Sequence, residues 1–113
     1  MAKERRYSIY DVYLLDMWGN KEDGYEENER HLVGKIHIPA PSFEEVDECS
    51  ILKAMKKLEI RQLFGPTVKA LMTRNRRVIY IEDYTGDGTW WEIGEAKTRK
   101  PVYGVKYVGA CVK

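Results

Sequence analysis

The stretch YSIYDVYLLDMW, residues 7–18, sets the architecture of this chain. It is dense in β-branched and aromatic residues. A period of two puts Ile9, Tyr13 and Leu15 on one face and Tyr10, Val12 and Leu14 on the other. Both faces are apolar, so the strand belongs in the middle of a sheet, where each side meets other side chains. HLVGKIHI, residues 31–38, reads as its antiparallel partner, stopped by Pro39 and Pro41. The intervening DMWGNKEDGYEENER, residues 16–30, then reads as the loop of a long hairpin. Trp18-Gly19-Asn20 would make one tight turn and Asp23-Gly24 a second, with solvated acids between them. Trp18 at the loop mouth is either a lid over the sheet, the favoured reading, or an exposed anchor of the kind that dominates interfaces.

Working outward, Ser42-Phe43-Glu44-Glu45 fits a capping box and predicts a helix starting at Ser42, whose replacement by alanine should cost ~1 kcal/mol. Phe43, Ile51, Ala54, Met55 and Leu58 share one helical stripe, which marks a core face and not a cofactor box. Gly65-Pro66 ends the helix. PTVKALMT, residues 66–73, favours a second short helix, the alternative being a strand over residues 68–72. RVIYIED (77–83), TWWEIGE (89–95) and VYGVKYV (102–108) read as three strands joined by the turns YTGDG and AKTRKP. The order is ββα(α)βββ: an α+β fold, mostly antiparallel, with helix packed on one face of the sheet. At 113 residues the chain is long enough for one core and too short for two, so residues 1–113 are expected to form a single domain.

No apolar run approaches the ~18 residues of a membrane span, and the charged start leads into no signal-peptide core. A cytoplasmic protein with no membrane contact is expected. Cys49 and Cys111 form neither a CxxC pair nor a disulfide framework and read as reduced thiols. The net charge of +1 hides a division, with residues 1–50 carrying −6 and residues 51–113 carrying +7. Such asymmetry marks a partner-binding surface, or else it cancels where the two halves lie side by side.

Metal and catalytic patterns are incomplete. The turn DYTGDG offers Asp83, Thr85 and Asp87 at calcium-loop spacing, but the closing position is Gly94. Asp83 followed by Glu95-Ala96-Lys97 resembles the D…(D/E)xK pattern of metal-dependent PD-(D/E)xK nucleases, without the proline before Asp83 and without the further helix and strand of that core. His31 and His37 would share a strand face but lack a third ligand, and nothing around Cys49 supplies an oxyanion hole. No glycine-rich phosphate loop is present. The expectation is therefore no catalytic residue, no metal and no cofactor.

The basic half carries the remaining signal. Arg74, Arg76 and Arg77 precede the third strand, and Lys97, Arg99 and Lys100 crowd the last turn. In an antiparallel hairpin the start of one strand lies beside the end of the next, so both clusters should meet at one end of the sheet and face an acidic partner. Aromatics lie between them on the strands, and of the pair Trp90 and Trp91 one should face the core and the other cover the sheet. A sheet presenting aromatics beside Arg and Lys can stack bases and hold phosphates, and KPVYGVKY resembles the RRM signature at an offset of one residue. The residues expected to meet a partner are Arg74, Arg76, Arg77, Lys97, Arg99, Lys100, Trp90 and Trp18. A protein is the expected partner, with nucleic acid as the alternative; the oligomeric state is left open.

YDVYLLDMWGN, KEDGYEEN, HLVGKIHIP, ILKAMKKL and IGEAKTRKPVYGVKY together resemble a group of small bacteriophage and prophage proteins. In these a DxWGNxxDGxExN loop precedes a sheet-helix core, and an AKxxxP turn precedes a Leu/Val/Tyr strand. This chain carries Arg99 and Lys100 in the last turn, where that group often has glycine. The resemblance implies an α+β protein of phage origin in the host cytoplasm; a non-catalytic accessory protein that binds a host or phage protein is expected, and its opposed charges make interference with a host defence complex one use.

Overall fold

The computed structural model describes residues 6–58 and 79–112. Among these residues five strands form one sheet: β1 (Arg6–Asn20), β2 (Gly24–Ile38), β3 (Ile79–Asp83), β4 (Trp90–Glu95) and β5 (Pro101–Val112), with helix α1 (Glu48–Lys57) between β2 and β3. The order across the sheet is β2-β1-β5-β4-β3, and every neighbouring pair is antiparallel. The α+β architecture and the interior position of β1 follow the sequence reading. Arg74, Arg76, Arg77 and the 66–73 segment lie outside the described residues.

The core forms on one face. Tyr10, Val12 and Leu14 of β1 meet Ile36 and Ile38 of β2, Tyr103 and Val105 of β5, and Trp91 and Ile93 of β4. Ile51 and Met55 of α1 close it from above, flanked by Phe43, Ala54 and Leu58, so the helical stripe packs as its spacing requires. Trp91 is 4 % exposed and donates its indole N–H to the Gly88 carbonyl, at 3.2 Å. The same carbonyl accepts from the buried Tyr10 hydroxyl at 2.8 Å. Burial pushes the Tyr10 hydroxyl up to about 12, so it stays a donor at any physiological pH.

Two local readings are corrected. The segment between the first two strands is not a loop: pairing runs from Ser8↔Ile38 to Asn20↔Gly24, which leaves a turn of three residues. Trp18-Gly19-Asn20 is strand, not turn. Asn20 closes the hairpin by accepting from the Asp23 N–H at 2.7 Å, while Gly19 and Gly24 take positive φ of 111° and 88°. Charged side chains on an exposed ribbon look like a loop in sequence because neither face is apolar. Trp18 is 63 % exposed, with most of its surface in solvent, so the lid reading falls.

The helix starts later than the capping box suggests. Ser42 precedes only a single 3-10 turn, Phe43–Glu45, and its side chain makes no capping bond. Asp47 is the N-cap of α1, accepting from the Ser50 N–H at 2.8 Å, and that bond holds its carboxyl below the usual range.

The division of charge is partly cancelled within the sheet. β1, from the acidic half, lies beside β5, from the basic half, so that Asp11 faces Lys106 in register while pairing with Lys35 of β2 at 3.5 Å.

Candidate functional site

The second face of the sheet carries no helix among the described residues, and its shape comes from two irregularities in β2. The β1–β2 register shifts between Val12 and Tyr13 and again between Asp16 and Met17, so that Val33 and Asn28 are extra residues on β2. Each bulge adds bend and twist to the ribbon. The first also separates the two histidines: His31 lies opposite Leu14 and His37 opposite Ile9, which point to opposite faces of β1, so the expected shared face does not exist.

Two long side chains meet across the sheet on this face. Three strand spacings separate β2 from β4, about 14 Å. Nevertheless the Arg30 guanidinium of β2 lies 4.8 Å from the ring centroid of Trp90 on β4, and 5.4 Å from that of Tyr13 on β1. The second contributor is Gly104 on β5. The Trp90 ring lies across it, where a Cβ would collide with the Cη2 and Cζ2 atoms, and leans toward Tyr13 with centroids 6.4 Å apart. Glu27 holds Arg30 through two parallel N–H···O bonds, the Nη2–Oε2 bond being 2.6 Å, and raises the guanidinium pKa further.

A second stack faces the first. Arg99, at φ 59° in the β4–β5 turn, lays its guanidinium 4.1 Å from the centroid of Tyr80 on β3 and 3.9 Å from Glu82. The Tyr80 hydroxyl donates to the Arg99 carbonyl at 3.2 Å, and burial pushes its pKa up to about 12. At one end the Tyr25 hydroxyl of β2 donates to the Thr98 carbonyl at 2.8 Å, tying the ribbon to the last turn.

Between the two stacks runs an open groove of about 590 Å³, floored by Glu92, Trp90 and Pro101 and reaching Tyr84, which is 65 % exposed. Glu92 accepts from the Trp90 indole N–H at 3.1 Å. Desolvation raises its pKa, the indole bond opposes that, and the carboxylates of Glu82 and Glu27 add to the rise.

Of the expected partner-binding residues, the structure brings Trp90 and Arg99 into this groove. Lys97 and Lys100 lie exposed in the same turn, and Trp18 lies on the ribbon beyond it. Because Ile79 pairs with Glu95, the start of β3 does sit beside the turn that holds Lys97, Arg99 and Lys100. Composition had pointed to cations; the groove also holds Glu27, Glu82 and Glu92, which sequence reading missed. A period-two reading of β3 and β4 could have found Glu82 and Glu92 opposite one another, but Arg30 reaches this face only through the bulge at Val33, which moves its partner from Asp16 to Leu15.

The nuclease-like carboxylates are not brought together. Asp83 pairs with Trp91 and Glu95 with Ile79, at opposite ends of the β3–β4 hairpin, and Asp83 accepts from the Gly88 N–H at 3.1 Å within its turn. Asp87 likewise accepts from the Thr85 and Thr89 hydroxyls, which lower its pKa. No three His, Cys, Asp or Glu among the described residues are grouped to hold a metal ion. No helix among them is long and apolar enough to cross a membrane. Comparison with protein-family models, curated proteins and solved structures finds no match to this chain.

Proposed function

We propose that this is a non-catalytic binding protein that engages another protein through the concave face of its sheet. The observation that carries the reading is the groove itself: Trp90, Tyr80, Tyr25 and Tyr84 line an open trough, and two arginine-aromatic stacks hold its walls in place before any partner arrives. Preformed aromatic concavities are where binding energy concentrates, because rigid rings bury much area at little cost in side-chain entropy. Nucleic acid fits less well. The exposed side of Trp90 is covered by Arg30, and three carboxylates in the groove oppose a phosphate backbone. On the resemblance of the opening segment to phage proteins, the partner would belong to a bacterial host or to the virus, and blocking a host defence complex is one use open to such a protein.

The test is capture of a partner from bacterial lysate on immobilised protein, compared with Tyr84→Ser, which alters an exposed side chain at the groove and leaves the core intact. A defined protein retained by the parent and lost with Tyr84→Ser supports the reading. Retention unchanged in the variant, or salt-sensitive retention of single-stranded DNA or RNA in its place, overturns it.

A further inference from the structure

We propose that the groove takes an arginine side chain of the partner, its guanidinium seated against Glu92 between the two walls; this rests on the binding role proposed above. The charge balance of the groove points there. Among the described residues it holds three carboxylates, Glu27, Glu82 and Glu92, and two guanidiniums, Arg30 and Arg99. Arg30 is committed to Glu27 by a bidentate bond and Arg99 lies by Glu82. Among the described residues Glu92 makes no ion pair: its hydrogen-bond partner is the neutral Trp90 indole. One carboxylate at the floor of an aromatic-walled trough is complementary to one cation.

The choice of guanidinium over ammonium follows from what the surface already does. It twice lays a guanidinium on an aromatic ring, Arg30 on Trp90 and Arg99 on Tyr80, each beside a carboxylate. A planar, weakly hydrated cation that stacks and donates two parallel hydrogen bonds suits this chemistry better than a compact ammonium. Glu92 and Tyr84 line the same groove as a carboxylate with no ion pair among the described residues and a ring that no guanidinium of the described residues covers. Burial leaves Glu92 reluctant to ionise despite the charge of Arg30 nearby, and an arriving guanidinium in direct contact relieves that cost.

The experiment is a titration of the full chain with the amide of N-acetyl-arginine, followed by amide and indole N–H correlation spectra. The parallel ligands are the citrulline amide, which keeps the shape without the charge, and the lysine amide, which keeps the charge without the plane. Saturable shifts of the Trp90 indole and Glu92 amide are expected with arginine, weaker by about ten-fold with citrulline or lysine. They should be lost in Glu92→Gln, whose amide oxygen preserves the indole bond. Equal response to citrulline or lysine, a response surviving Glu92→Gln, or none to arginine overturns the proposal. If arginine fails while Tyr84→Ser still abolishes partner capture, the arginine seat falls and the binding role stands; if capture is also unaffected, both fall.

Discussion

Arg99 occupies a left-handed backbone position, φ 59°, that a side chain with a Cβ adopts at a cost of about 1–2 kcal/mol. The offsetting contacts are its stack on Tyr80 and its proximity to Glu82, at an exposed site where a cation-π contact contributes ~0.5–1 kcal/mol. Arg99→Gly should therefore come out near neutral, whereas Arg99→Ala keeps the strain and loses the stack. Urea unfolding should place the alanine variant about 1 kcal/mol below the glycine variant; equal stabilities would mean the turn relaxes. Glu92 gives a pH signature of its own. Burial raises its folded pKa above that of the unfolded chain, so the native state holds this proton more tightly. Its contribution to stability is complete below the unfolded pKa and is lost as pH rises through the folded one. Relative to the parent, Glu92→Gln should gain stability between acid and neutral pH, read from melting temperatures across that range. A constant difference would show that Glu92 is as well solvated folded as unfolded.

At the scale of the elements, the glycine in β5 and the bulges in β2 act together. Gly104 gives the Trp90 ring its bed, and the bulges bring Arg30 down onto the other side of that ring. Gly104→Ala should push Trp90 off the strand and undo the stack with Arg30. The expected result is a destabilisation of about 1–3 kcal/mol, together with weaker near-ultraviolet dichroism as the indole loses its fixed surroundings. An unchanged spectrum would show that the ring has another resting place. The helix offers a contrast at the same scale. Its apolar stripe was plain in the sequence, yet its start was misplaced, since Ser42 and Asp47 both have the side-chain chemistry of a cap and only the path of the chain selects Asp47.

For the whole molecule, the described part measures 54 × 27 × 24 Å, and the β1–β2 ribbon would be a two-stranded arm beyond Leu14, where β5 stops pairing with β1. Two strands alone are marginal in water. The Tyr25 hydroxyl, bonded to the Thr98 carbonyl 73 residues away, ties the tip of the ribbon to the last turn and keeps one end of the groove closed. Tyr25→Phe should cost only ~1 kcal/mol in global stability but should speed hydrogen exchange of the amides of residues 17–27 well above that of the core strands. Uniform exchange across the sheet would mean the ribbon is held by its own pairing. The same tie joins the acidic opening segment to the basic turn, which is one place where the opposed charges of the two halves meet.

The alternating apolar residues 7–18, the helical stripe ending at Leu58 and the turn residues between the last three strands were enough to read an antiparallel sheet with a helix on one face, because burial imposes a period of two or of 3.6 on any sequence that must cover a core. The same periodicity let one member of the pair Trp90 and Trp91 be assigned to the core without saying which; register assigned Trp91. The groove was not legible. Its walls join β2 to β4 and the last turn to β3, contacts between residues apart in sequence, and the first of them depends on where a bulge falls in β2. Bulge positions follow from the balance of packing on both faces of a finished sheet, and that balance exists only in the tertiary structure.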